Sequence, residues 1–134
     1  MAAPNIVNVA DIKGNIAFQS LTNTNDNALI NNAASSNTVL KVNNIFVSNV
    51  NGVSAATITL SFRSAANAVT NGTLATASSG TAYRVAYQIS VPANTTLMLL
   101  DKSGSIYLPE NTSLSVQAGT AGFLEVVGSF ETIS

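Results

Sequence analysis

Strict two-residue alternation of apolar and polar side chains is the feature that most narrows the fold. In Thr57–Arg63 (TITLSFR), Ile58, Leu60 and Phe62 share one parity, and Thr57, Thr59, Ser61 and Arg63 share the other. Tyr83–Val91 sets Tyr83, Val85, Tyr87, Ile89 and Val91 against Arg84, Ala86, Gln88 and Ser90. Ser113–Ala118 places Leu114, Val116 and Ala118 together. Successive side chains of a strand point to opposite faces, so these runs read as antiparallel strands with one face on a core. Thr38–Val50 changes parity between Leu40/Val42 and Ile45/Val47. That change predicts a β-bulge at Asn43-Asn44 or a strand covered on both faces. No window carries a helical period.

Strands are expected around Ile6–Val9, Ile16–Leu21, Val39–Val50, Thr57–Arg63, Tyr83–Val91, Leu97–Leu100, Ile106–Ala118 (split at Pro109) and Phe123–Ile133. Eight short strands at this spacing, with turn residues between them, predict an all-β fold: an antiparallel β-sandwich of about eight strands, jelly-roll or Ig-like. With 134 residues the chain forms a single domain, 1–134. Residues 1–10 form an extended N-terminal arm in this reading, and 64–81 a long polar loop. That loop, SAANAVTNGTLATASSGT, is small, uncharged and read chiefly as a mobile surface segment.

Asn51-Gly52 and Asn71-Gly72 suit backbone positions needing positive φ, and the first sits between two strands like a hairpin loop. Asp101–Gly104 has the residues of a type I turn. An internal echo pairs VPANTTL at Val91–Leu97 with LPENTSL at Leu108–Leu114. Proline ends a ladder, Asn turns the chain and Leu opens the next buried face. With one strand up and one strand down between them, the two echoes are expected at the same end of the molecule.

Side-chain chemistry is sparse. Charged residues make up 8% of the chain and the net charge is −1, so no basic patch exists to neutralise phosphates or an anionic lipid surface. No nucleic-acid or membrane partner is expected. With no Cys and no His, thiolate sites, disulfides and the commonest general base are absent. Glu125 and Glu131 share a strand parity but lie roughly 20 Å apart along it, too far for a glycosidase pair. Asp101-Lys102-Ser103-Gly104-Ser105 offers one carboxylate where a hard cation wants several. Asn71, Asn94 and Asn111 open glycosylation-like triplets that an Asn/Ser/Thr-rich chain produces by chance. Tyr83 and Tyr87 have the ring chemistry of a sugar platform, but their parity with Val85 and Ile89 favours the core. No catalytic, metal or cofactor-binding residue is assigned, and no cofactor is expected. The N-terminus lacks the basic and apolar regions of a signal peptide.

The segments MAAPNIVNV, LKVNNIFVSNVNG, ISVPANTTL, SIYLPENTSL and SFETIS resemble a family of small virion structural proteins. Its members occur in tailed phages of cyanobacteria and other aquatic bacteria. The resemblance covers both ends and most strands, and it carries strand and turn signatures rather than chemical ones. It implies a β-sandwich present in many copies on the particle and made in the host cytoplasm. The major capsid protein or other virion proteins would be its partners. A capsid decoration (cement) protein is the leading expectation, and a head- or tail-fibre module binding a host receptor or glycan is the alternative. A nearly uncharged polar surface costs less to desolvate than a charged one, which suits a homo-oligomer, with a trimer favoured. Ala2–Val9 is uncharged and weakly alternating, so Asn5, Ile6, Val7 and Val9 are candidate assembly contacts through strand addition to a neighbour.

Overall fold

A computed structural model describes residues 10–134. The described chain is built of β1 (Ile12–Leu21), β2 (Asp26–Asn32), β3 (Val39–Asn49), β4 (Ala56–Arg63), β5 (Ala82–Val91), β6 (Thr96–Leu100), β7 (Ile106–Leu108), β8 (Thr112–Ala118) and β9 (Leu124–Ile133). Among the described residues, one 3-10 turn spans Lys102–Gly104. Two antiparallel sheets pack face to face. The first runs β1-β9-β3-β6 with β7 also on β3, and the second runs β2-β8-β4-β5.

Both β6 and β7 lie along the same side of β3, β6 against residues 45–48 and β7 against residues 40–42. They form one interrupted strand. Counted so, eight strands follow the jelly-roll order rather than the Ig-like one. The interruption overturns one sequence expectation: Asp101–Gly104 jogs the chain sideways without reversing it. The two echoes therefore sit at opposite ends of β3. Asn94 donates its backbone N–H to Asn51 O (3.1 Å) at one end, while Glu110 accepts from the Asn37 N–H (3.0 Å) at the other. Their shared turn chemistry does hold, since Asn94 and Asn111 both adopt positive φ, 55° and 59°.

The core lies between the inner faces and includes Val42, Ile45 and Val47 of β3, Ile58 and Leu60 of β4, Leu114 and Val116 of β8, and Val126 of β9, all fully buried. The parity change in β3 is a bulge, with the register against β9 shifting between Val42 and Asn44. Gly128 faces it, where a Cβ would press on Asn44 O at 3.3 Å. Burying roughly 20 such apolar side chains at about 1.5–3 kcal/mol each is the dominant favourable contribution to folding.

Three local readings are corrected. Tyr83, Val85, Tyr87 and Ile89, expected inward, are exposed, and of the five same-parity residues only Val91 is buried. The register of β5 against β4 shifts twice, and Gln88 takes φ of 49°, so parity is not conserved along the strand. Asn51-Gly52 closes no hairpin. It turns the chain from β3 in one sheet to β4 in the other, with Asn51 Oδ1 accepting the N–H groups of Val53 and Ser54 (2.9 and 2.8 Å). Strand β2 was missed altogether, because DNALINN has no alternation. Its residues Asn27–Ile30 are all buried, so both faces are covered. The strand expected at Ile6–Val9 lies outside the described residues.

The long polar segment 64–81 is fastened down, against the expectation of a mobile loop. It crosses the open side of the sandwich where β1 and β2 are the edge strands. Ala28 N donates to Ala75 O (2.9 Å) and Ala77 N to Asp26 O (2.8 Å), which adds a short ladder to β2. Further on, Gly72 N donates to Phe18 O (3.1 Å), Phe18 N to Asn71 Oδ1 (3.2 Å) and Asn71 Nδ2 to Ile16 O (3.0 Å), which covers part of β1. Unpaired strand edges invite association, and this segment occupies two of them.

Candidate functional site: the outward faces of the two sheets

On the first sheet, registers place one row of apolar side chains across all four strands. Phe18 of β1 pairs with Val127 of β9, Val127 with Phe46 of β3, and Phe46 with Met98 of β6. Directly opposed residues share a face. This face is turned away from the core, and Phe18, Val127 and Met98 are 43%, 42% and 49% exposed. Two residues along, the next row is polar: Ser20, Glu125, Ser48 and Thr96, with the Ser48 and Thr96 hydroxyls 2.9 Å apart. On the other side, past Ile16 and Ser129, stands the row Gly14, Glu131, Lys41 and Tyr107. Glu131 accepts from Asn43 Nδ2 at 2.9 Å. A row of large apolar groups framed by polar rows has the anatomy of an interface core and rim.

The second sheet's outward face is divided. Over β2 and β8 it holds a nearly buried polar cluster. Arg63 Nη2 meets Asp26 Oδ2 at 2.6 Å, and Ser115 Oγ donates to the same oxygen at 3.1 Å. Asn67 anchors the 64–81 segment above them. Its Nδ2 donates to Ser113 Oγ, Ala65 O and Ser79 O (3.0–3.1 Å), and its Oδ1 accepts from Ser78 N (3.0 Å) and Ser79 N (2.8 Å). Ser61, Ser113 and Ser115 are thus buried although they face away from the apolar core. The Ser113 and Ser115 hydroxyls fasten this cluster, Ser113 Oγ donating to Ala65 O (2.8 Å) and Ser115 Oγ to Asp26 Oδ2.

Over β4 and β5 the same face opens into a groove of about 410 Å³ lined by Thr57, Thr59, Arg84, Tyr87 and Gln117 among others. Tyr87 is 59% exposed, and the Arg84 guanidinium lies 5.8 Å from its ring centroid. At the groove's edge a Cβ on Gly119 would fall 2.1 Å from Thr57 Oγ1, so a larger residue there requires the Thr57 hydroxyl to turn away. Sequence reasoning placed Tyr87 in the core, and the β5 irregularities that expose it have no signature in the alternation.

The remaining acids have local duties. Asp11 pairs with Lys13 at 3.4 Å on the surface. Asp101 caps the 3-10 turn, accepting from Ser103 Oγ (2.6 Å) and Gly104 N (3.1 Å). The Ser103 hydroxyl, and then the Gly104 N–H, hold its carboxyl below the ordinary carboxylate range. Among the described residues no three acids gather as a metal site, and no helix is long and apolar enough to cross a membrane. Of the sequon-like asparagines, Asn71 uses its side chain to bind β1 and Asn111 accepts from Ala66 N at 3.1 Å. The candidate contacts Asn5, Ile6, Val7 and Val9 lie outside the described residues. No protein-family model, curated protein or solved structure matches this chain.

Proposed function

We propose that this chain is a non-enzymatic virion structural protein, and that it acts as a capsid decoration protein clamping neighbouring shell subunits. The observation that carries the reading is the exposed Phe18–Val127–Phe46–Met98 row, set on a rigid sheet in a chain with 8% charged residues. Large apolar side chains held in register are anchors for buried contact, and a weakly charged surround desolvates at low cost. The resemblance of its strand and turn segments to phage virion proteins supplies the setting, the virion, with the major capsid protein or other virion proteins as partners. The jelly roll is compatible with this role but hosts many others.

A second reading is favoured by one observation, the groove holding Tyr87, Arg84, Thr57, Thr59 and Gln117. An exposed ring amid amide and hydroxyl groups suits a neutral glycan, as a head- or tail-fibre module would bind. Particles stripped of the protein separate the two readings. A cement protein binds the assembled shell and stabilises it by mass action. Stripped particles are expected to release their contents at lower temperature or milder osmotic shock, and to adsorb to host cells normally. Unchanged robustness with lost adsorption overturns the cement reading in favour of the fibre module.

A further inference from the structure

We infer that the outward face of the first sheet is a self-association surface, and that its occupant is a second copy of this chain related by a two-fold axis. The inference rests on reading that face as an interface and names a sister copy, rather than a shell subunit, as what covers it; it does not rest on the virion setting. Consider an axis parallel to the strands and midway between β9 and β3. It lays β1 over the partner's β6/β7 strand and β9 over the partner's β3.

The registers then bring like to like and charge to opposite charge. Phe18 faces Met98 of the partner and Val127 faces Phe46 of the partner, so the apolar row closes on itself with sulfur against ring. Two rows away, Glu131 faces the partner's Lys41 and Lys41 the partner's Glu131. Among the described residues Lys41 has no ion pair within its own chain, so the second copy supplies one. In the same row the bulky Tyr107 falls opposite the partner's Gly14, beside which a Cβ would meet nothing within 4 Å. Sheets packed in this way cross at about 30°, which long Glu and Lys side chains accommodate.

Area and alternatives point the same way. Four strands at about 4.8 Å spacing, each eight or nine residues long at about 3.3 Å, offer roughly 540 Å² per copy. The pair buries roughly 1,100 Å², which clears the mark of about 1,000 Å² expected of a biological interface. Edge pairing is less available among the described residues. Part of β1 and β2 is covered by 64–81, β5 is irregular with Gln88 at positive φ, and the β6/β7 edge is broken by the 3-10 turn. An isologous face gives a dimer, not the trimer expected from sequence.

The test is the mass of the full chain in solution, by light scattering or sedimentation, for wild type, Lys41→Glu, Glu131→Lys and an equimolar mixture of the two variants. The wild type is expected at twice the chain mass. Lys41→Glu alone sets Glu against Glu and Glu131→Lys alone sets Lys against Lys, so each is expected at the monomer mass. Mixing restores both pairs across the axis and is expected to return the doubled mass. Within each chain residues 41 and 131 are also neighbours, but mixing leaves that contact like-charged, so rescue reports only the contact between chains. Circular dichroism of each variant confirms that it is folded. A monomeric wild type, a dimeric single variant or a folded mixture that stays monomeric overturns the inference. A dimer whose copies are absent from the particle upholds this surface and removes the virion reading.

Discussion

Replacing Asp26 by Ala is expected to lower the unfolding free energy by about 3 kcal/mol. It leaves a nearly buried guanidinium without its carboxylate and with only the longer bonds to Ser115 Oγ, Ser79 O and Gly80 O. The Arg63 and Asp26 side chains are 12% and 19% exposed, and their 2.6 Å contact is reinforced by Ser115. The pair is not a simple gain. Asp26 Oδ1 is buried with no hydrogen-bond partner, so much of the Coulombic attraction offsets desolvation. Substituting both residues, Asp26→Leu with Arg63→Met, is therefore expected to be less damaging than Asp26→Ala alone. Urea melts of the two variants check this, and equal losses would mean that Ser115, the Ser79 and Gly80 carbonyls and water suffice to hold the Arg63 charge.

The second large effect is expected at Asn67. Asn67→Ala removes five side-chain hydrogen bonds and leaves the Ser78 and Ser79 N–H groups without their acceptor. At about 1 kcal/mol for each bond that water cannot fully replace, the loss is about 3 kcal/mol. It should be local as well as global. Hydrogen exchange at the Ser78 and Ser79 amides is expected to accelerate, along with that at Ala28 and Ala77, while Val47 and Val116 stay protected. Unchanged exchange across 75–79 would mean that the segment is held by its backbone ladder alone.

The segment 64–81 also shows where sequence reading stops. Its composition signals a loop correctly, yet says nothing of partners 36 to 55 residues away, such as Asn31 for Asn67 or Ile16 for Asn71. Alternation located β4 and β8 because each keeps one face on the core throughout. It failed on β2, covered on both sides, and on the edge strand β5, where two register shifts break the parity: Tyr87 turns outward beside Thr57 and Thr59, while Tyr83 and Ile89 stay opposite Phe62 and Ile58 yet remain exposed. The bulge in β3 was legible because the parity change itself is in the sequence.

The apolar row was legible only in pieces. Phe18, Phe46, Met98 and Val127 come from four separate strands, and nothing local says that their registers align. Phe46 sits between the inward Ile45 and Val47, so its outward direction follows once the bulge is known. For Met98 the same inference needs the pairing of β6 with β3, a long-range fact. A row of side chains across a sheet is written in topology more than in motif.

The most direct test of the proposed assembly role is a reconstruction of the virion in which this chain is proposed to reside. The expected result is a jelly roll seated on the shell in copy number comparable to the shell subunit. Each copy should bury at least about 1,000 Å² against shell or sister subunits. Finding the protein outside the particle, or only in a few copies at a tail or vertex with the Tyr87 groove facing outward, would contradict it.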